Sequence, residues 1–252
     1  MISGVTNDVG AVVASGDDDA RGWSARLGWA FGLIADDPAA RAAALAHLDT
    51  ARQNTWDALD RSNELWQLTL PLGTEEQYQE SAFKRAREEY DDVRRYCLPD
   101  GLWEGASGVG IKSWPGLPYA LLFLEWEARY PQEWTEHAKA WGTKQALIRR
   151  VAVPDHHEAV REKLTRLVEI VVERAYRCKD REYVRVARAV DSDDLRRRLG
   201  KAVHSDNPWA RLHAGYLLWL LDRPEVPNTR HVWRAWLASV SGGRSALTTP
   251  RR

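Results

Sequence analysis

The sequence predicts an all-α protein, an irregular helical bundle that grades into stacked helical pairs toward its C-terminal end. Three observations predict it. Apolar residues recur three and four positions apart over most of the chain. Helix-start signals, Asp37-Pro38 and Asn207-Pro208 among them, stand where those stripes begin. No segment alternates with period 2 for more than a few residues, so no sheet is expected.

Residues 1–16 carry no helical period and are expected as a tail, as are residues 241–252. Between them a single domain is expected over 17–240, with a sub-boundary near 143–154. Trp23, Leu27, Phe31 and Ile34 share one helical face, behind the acidic start Asp17 to Asp19. After Asp37-Pro38, a stripe of Leu45, Leu48, Trp56, Leu59, Trp66 and Leu70 runs to Pro71, and Arg52 and Asn63 interrupt it where a break could fall. Thr74 and Gln77 form a capping box for the face Tyr78, Ala82, Ala86, Tyr90, Val93 and Cys97.

Residues 98–117 break the rhythm with five glycines, two prolines and the tryptophans Trp103 and Trp114. A connection of that length inside a helical domain is often functional. The helix Pro118–Tyr130 is apolar nearly all round and is expected to be central. Trp134, Ala138 and Trp141 give the next face, with Gly142 as a stop or kink. Asp155 is expected to cap a helix bearing Val160, Leu164, Leu167, Val171, Ala175 and Cys178. Asp180 and Ser192 read as caps of two shorter helices. Asn228 opens the last helix, with Val232, Trp236 and Val240 on its face.

Ser205-Asp206-Asn207-Pro208-Trp209-Ala210-Arg211, followed by Ala214, Leu218 and Leu221, resembles the turn and second helix of a HEAT repeat, over about residues 192–240. The resemblance implies that Pro208 starts the second helix, that Arg211 bonds back to the turn and that Ala214 permits close helix packing. Trp56-Asp57-Ala58-Leu59-Asp60 resembles part of the catalytic segment of the HEAT-like alkylpurine DNA glycosylases, and Ser205 to Arg211 is similar to their arginine-bearing turn. In that family the two segments occupy neighbouring repeats, whereas here about 145 residues separate them. Asp57, Asp60 and Arg211 are therefore not carried over as catalytic.

Composition narrows the function classes. Hydrophobic residues at 44% and charged ones at 29% exclude wholesale disorder. No apolar run approaches the roughly 20 residues of a membrane helix, and the N-terminus lacks signal-peptide character, so a cytoplasmic protein without a membrane partner is expected. Two distant cysteines make neither a disulfide framework nor a metal ladder. Arginine far exceeds lysine and alanine is abundant, the bias of a GC-rich, bacterial coding sequence. Net charge is zero, yet residues 1–143 carry 13 basic against 23 acidic side chains, and the remainder carries the reverse. Such asymmetry can mark an anionic partner, or merely two solvated faces.

No motif completes a catalytic or metal set, and no cofactor is expected. Gly105 to Ser113 is one residue out of register for a P-loop, since Ile111 precedes Lys112, and no strand leads into it. It also misses G-x-S-x-G. His156-His157-Glu158 lacks the second histidine one turn on, where Arg161 stands. His213 on an apolar helix reads either as a base in a pocket or, more plainly, as a boundary residue bonded to backbone. Glu125 and Glu127 point in different directions, and Glu125 pairs naturally with Arg129. Arg177, Arg181, Arg185 and Arg188, with Arg196 to Arg198, could track phosphates.

The leading expectation is a non-enzymatic helical adaptor that binds another protein. Nucleic-acid binding through the C-terminal half, or an enzyme with its pocket under the 98–117 loop, are the alternatives. The expected binding residues are Trp103, Glu104, Lys112 and Trp114 in the loop, and Arg181, Arg185, Arg188 and Arg211 beyond it.

Overall fold

The computed structural model describes residues 20–71, 76, 80–103 and 110–245. Among these residues there are helices and turns but no strand, so the all-α expectation holds. The chain divides into two compact units, Met1–Ala140 and Trp141–Arg252. The division falls close to the 143–154 stretch.

In the N-terminal unit, helical residues 20–27 run into a 3-10 segment, Gly28–Ile34. Helix α1 (Pro38–Thr69) follows, and Asp37 caps it by accepting from the amides of Ala39 and Ala40 at 3.1 and 3.3 Å. The helix is unbroken through Arg52 and Asn63. Of the expected stripe Leu48 is buried, and the rest of the buried face is the smaller set Ala44, Thr55, Ala58, Ser62 and Thr69. Small side chains let α2 (Ser81–Val93) approach closely, while Trp56 stays exposed under the Arg52 guanidinium. The buried hydroxyls of Thr55 and Thr69 donate to carbonyls of their own helix at 2.8 Å, so their burial leaves no orphan donor. Glu80 caps α2 through the Phe83 amide, and the expected Thr74–Gln77 box lies outside the described residues.

Helix α3 (Leu117–Arg129) is the centre of this unit, with ten buried residues on all sides. Each large apolar side chain sunk this way contributes about 1.5–3 kcal/mol. Arg129 at its end donates to the Ile34 carbonyl at 2.8 Å and pairs with Glu125 at 3.3 Å as expected. The turn before α3 carries Trp114 inward, edge-on to Trp23 with ring centroids 5.8 Å apart. Gly116 makes room for both rings, because a Cβ there would lie 2.5 Å from each. Helix α4 (Pro131–His137) closes the unit.

The C-terminal unit begins with α5 (Trp141–Val151), whose first turn contains Gly142, so that glycine neither stops nor kinks a helix. Helix α6 (Glu158–Val172) buries Val160, Leu164, Leu167 and Val171 as expected. It starts later than predicted: Asp155 sits in the left-handed region, φ 61°, and does not cap it. It also ends at Val172, leaving Ala175 and Cys178 exposed. A 3-10 turn, Asp180–Glu182, leads into α7 (Tyr183–Ala189), then α8 (Asp193–Val203) and α9 (Pro208–Leu221). Ser192 and Asn207 cap α8 and α9 as predicted, accepting from Leu195 and Trp209 amides. Helix α8 packs on α9, and α7 packs on α5, α6 and α9. Helix α10 (Arg230–Ser245) is capped by Thr229 rather than Asn228.

A buried charge cluster organises the turn before α7. The Lys144 ammonium, 0% exposed, donates to Asp180 Oδ1 at 2.6 Å. Arg174 Nη1 and the Arg177 amide donate to Asp180 Oδ2 at 2.9 and 2.7 Å. Asp180 is thus a tertiary anchor more than a helix cap. Beside it Glu182 accepts from Arg149, Gln145 and Arg185 at 2.9–3.1 Å. The Arg149 guanidinium, with Gln145 and Arg185 behind it, pulls the Glu182 carboxyl down to about 2.

Candidate functional site

A cavity of about 520 Å³ opens in the C-terminal unit, bounded by α6, the 176–184 segment, α9 and the start of α10. That volume is typical of small-molecule sites, which run from about 300 to 1,000 Å³. Its floor is aliphatic: Val168, Val171 and Val172 from α6, Val184 from α7, and Leu212 and Leu217 from α9. Its walls are aromatic. Trp209 and His213 lie one turn apart on α9 and stack at 5.9 Å. Tyr216, one turn further, meets Trp233 of α10 edge-on at 4.7 Å, and Trp236 braces Trp233 from behind at 5.4 Å. Tyr176 completes the rim.

The spacing 209, 213, 216 explains why one helix presents three rings to one side. Apolar side chains on another side of α9, Ala210, Ala214 and Leu221, are buried. Trp209 is 46% exposed despite its size. An exposed tryptophan beside a cavity is a natural ligand contact.

The polar groups of the site are few, and most hold one another. Tyr216 donates its hydroxyl to Asn228 Oδ1 at 3.0 Å, and Asn228 Nδ2 donates to the Arg181 carbonyl at 2.8 Å. His213 Nδ1 donates to the Val172 carbonyl at 3.3 Å. Burial pushes the His213 pKa below its ordinary 6.5, with the carbonyl bond opposing the shift, so the neutral ring carries its proton on Nδ1 and leaves Nε2 an acceptor. Burial raises the Tyr216 hydroxyl, which stays protonated. Both readings of His213 therefore meet in one residue: it is bonded to backbone and it lines a pocket. Asp180 also reaches the lining, already neutralised by Lys144 and Arg174. Arg181 and Arg230 are exposed and stand at the mouth.

Of the eight residues singled out in the sequence, Arg181 belongs to this cavity. Arg185 bonds Glu182 at 3.1 Å. Arg188 donates to the carbonyls of Val226, Arg223 and Leu220, tying down the turn after α9. Arg211 donates to the carbonyls of Ser205 and Asp206 at 2.9 and 3.1 Å, the back-bond to the turn that its motif implied. Trp103 is exposed at the end of a 3-10 turn, Lys112 is exposed, and Glu104 lies outside the described residues. Trp114 requires a correction: it is core, 2% exposed, because Gly116 lets it fold under against Trp23. Neither tryptophan lies on the cavity wall.

The arginine row is largely committed to acids. Arg196 bonds Asp191 and Asp222, while Arg198 bonds Glu162, Glu169 and Asp194. Arg197 pairs with Asp194 as well. Such pairing takes the geometric support from a phosphate-tracking stripe. His156 is buried with Nε2 on the Val151 carbonyl, so the His-His-Glu run is structural at its first member. Among the described residues no three His, Cys, Asp or Glu side chains gather to hold a metal, and no helix is long and apolar enough to cross a membrane.

The sequence reading missed Trp209, Tyr216, Asn228 and Trp233 as site residues. The available signal was that Trp209 and His213 share a helix side with Tyr216. Asn228 reads as the start of the last helix and Trp209 as part of the repeat-like turn, because the partners that complete the cavity come from elements far along the chain. No family model, curated protein or solved structure matches this chain.

Proposed function

We propose that this chain is a non-enzymatic binding protein whose C-terminal unit holds a small, ring-bearing apolar molecule. One observation carries the reading: an aromatic-walled cavity of about 520 Å³ in which the Tyr216 hydroxyl, the Asn228 amide and His213 Nδ1 are already hydrogen-bonded. Such a pocket offers dispersion and ring stacking to a ligand. It does not bring a nucleophile and a base within reach of a common point, the minimum for acid–base or covalent catalysis. The protein works in this reading as a cytoplasmic receptor or carrier, and both of its cysteines are free.

The test is a fluorescence titration of the full chain with N-phenyl-1-naphthylamine, an uncharged probe that brightens in apolar surroundings. A dissociation constant of about 1–100 μM is expected for a ligand of that size. Leu212→Trp puts a large ring into the cavity at a half-exposed lining position and should abolish binding while the far-UV circular dichroism stays unchanged. Absence of binding, or equal binding by the filled variant, overturns the proposal.

A second reading, docking of another protein, is favoured by Trp103, which remains 37% exposed in the N-terminal unit. Large exposed aromatics are frequent anchors at interfaces. Trp103→Ala should then weaken capture of a specific partner without changing probe binding.

A further inference from the structure

We infer that the ligand of this pocket is a small amphiphilic acid, with its ring body among the tryptophans and one anionic group at the mouth. The inference rests on the pocket reading above and adds the chemical class of the occupant.

The argument begins with Asn228. Its amide donates to the Arg181 carbonyl at 2.8 Å, which holds the loop before α10 against the turn before α7. The same side chain accepts from Tyr216 at the back of the cavity at 3.0 Å. Arg230 follows two residues later. One amide thus sets two arginine-bearing segments on the edge of one apolar cavity, although 49 positions separate Arg181 from Arg230.

The charge at that edge is not cancelled locally. Arg230 is exposed and makes no ion pair among the described residues. Arg181 has only a long approach to Glu182, 3.9 Å, and Glu182 is already engaged by Arg149, Gln145 and Arg185. Asp180, the one carboxylate in the lining, carries the Lys144 and Arg174 cations on its own oxygens. The mouth therefore keeps a net positive charge. Arg196 and Arg198 differ from the pair, each being shared between two or three acids.

The first turn of α10 adds to the same sign. Thr229 Oγ1 accepts from the Val232 amide, and the positive end of the helix dipole falls where Thr229 and Arg230 line the cavity. Inside, the imidazole of His213 is neutral and the walls are hydrocarbon and ring, so an anion is disfavoured at depth. The two ends of the cavity thus select the two ends of one molecule. A carboxylate serves best, since the fork of a guanidinium matches it through two parallel hydrogen bonds.

The test compares two probes on the full chain at low salt: 8-anilinonaphthalene-1-sulfonate, which carries the anion, and N-phenyl-1-naphthylamine, which has the same rings without it. Arg181→Gln/Arg230→Gln removes both charges from exposed positions and should leave the fold intact. Two exposed charge contacts together are worth about a tenfold change in affinity. The double variant should therefore bind the sulfonate about tenfold more weakly and the neutral probe as before. Addition of 0.5 M salt to the native chain should weaken the sulfonate in the same direction. Equal loss of both probes, or no loss of the sulfonate, overturns the acid assignment while leaving the pocket reading in place. Failure of both probes to bind the native chain overturns both.

Discussion

Replacing Asp180 by asparagine tests whether the buried cluster beside the pocket is held by charge or by shape. The substitution keeps volume and removes one negative charge. Lys144, 0% exposed, then faces an amide at the position of the oxygen now 2.6 Å away, with the Arg174 guanidinium on the same group. Two cations would share a buried site without an anion. Removing one partner of a buried ion pair costs about 3–5 kcal/mol, and here two cations lose it, so the upper part of that range applies. The reverse change, Lys144→Met, leaves Asp180 with Arg174 and the Arg177 amide, so its charge stays compensated. Its loss should be about 1–3 kcal/mol. In the double variant Lys144 is no longer stranded but Arg174 still lacks its carboxylate, so stability should recover part of the way toward that of Lys144→Met. The assay is hydrogen exchange by mass spectrometry on the full chain, read in peptides from α5 to α7. A loss of about 4 kcal/mol accelerates exchange there nearly a thousandfold. Equal destabilisation by Asp180→Asn and Lys144→Met, or simple additivity in the double variant, would refute the reasoning.

Three further outcomes follow from the same geometry. Glu182, whose carboxyl sits at about 2 against an ordinary 4.5, contributes stability that is complete above pH 4.5 and lost as pH falls toward 2. Because Arg149 and Arg185 are half-exposed or more, screening reduces the contribution to about 1–2 kcal/mol. Denaturation of Glu182→Gln should differ from the native chain by that amount at pH 6 and converge with it near pH 2. The His213 ring, followed by nitrogen-detected NMR, should titrate below 6.5, and a midpoint at or above that value contradicts its burial. Since burial opposes the charged ring, His213 also costs stability as pH drops from 6.5 toward its folded midpoint. Gly116→Ala should destabilise the N-terminal unit by about 1–3 kcal/mol, seen as a lower urea midpoint, because the new methyl meets the Trp114 and Trp23 rings at 2.5 Å.

What was legible in the chain was local. The caps at Asp37, Ser192 and Asn207 involve partners two or three residues away, and the all-round apolar character of α3 needs no knowledge of its neighbours. The buried stripe of α1 was misread because hydrophobic pattern favours large side chains. Close packing against α2 instead selects alanine, serine and threonine, and sends Trp56 to solvent. Trp114 was placed outside the core because glycine and proline around it suggest an open loop. The same glycine is what lets the ring turn inward. The cavity was illegible for a different reason. Its lining comes from residues 168 to 233, and one member, Asp180, is held by Lys144 from 36 positions away. Spacing within any one helix carries no trace of such a meeting.

The bond pair made by Asn228 has a consequence for time as well as for place. One side chain fastens the loop before α10 both to Arg181 and to Tyr216, and so couples the front of the cavity to its back. That loop cannot lift without breaking both bonds in a single event. Shortening the side chain to alanine would release the front and the back of the cavity together, so both should lose protection from hydrogen exchange in step.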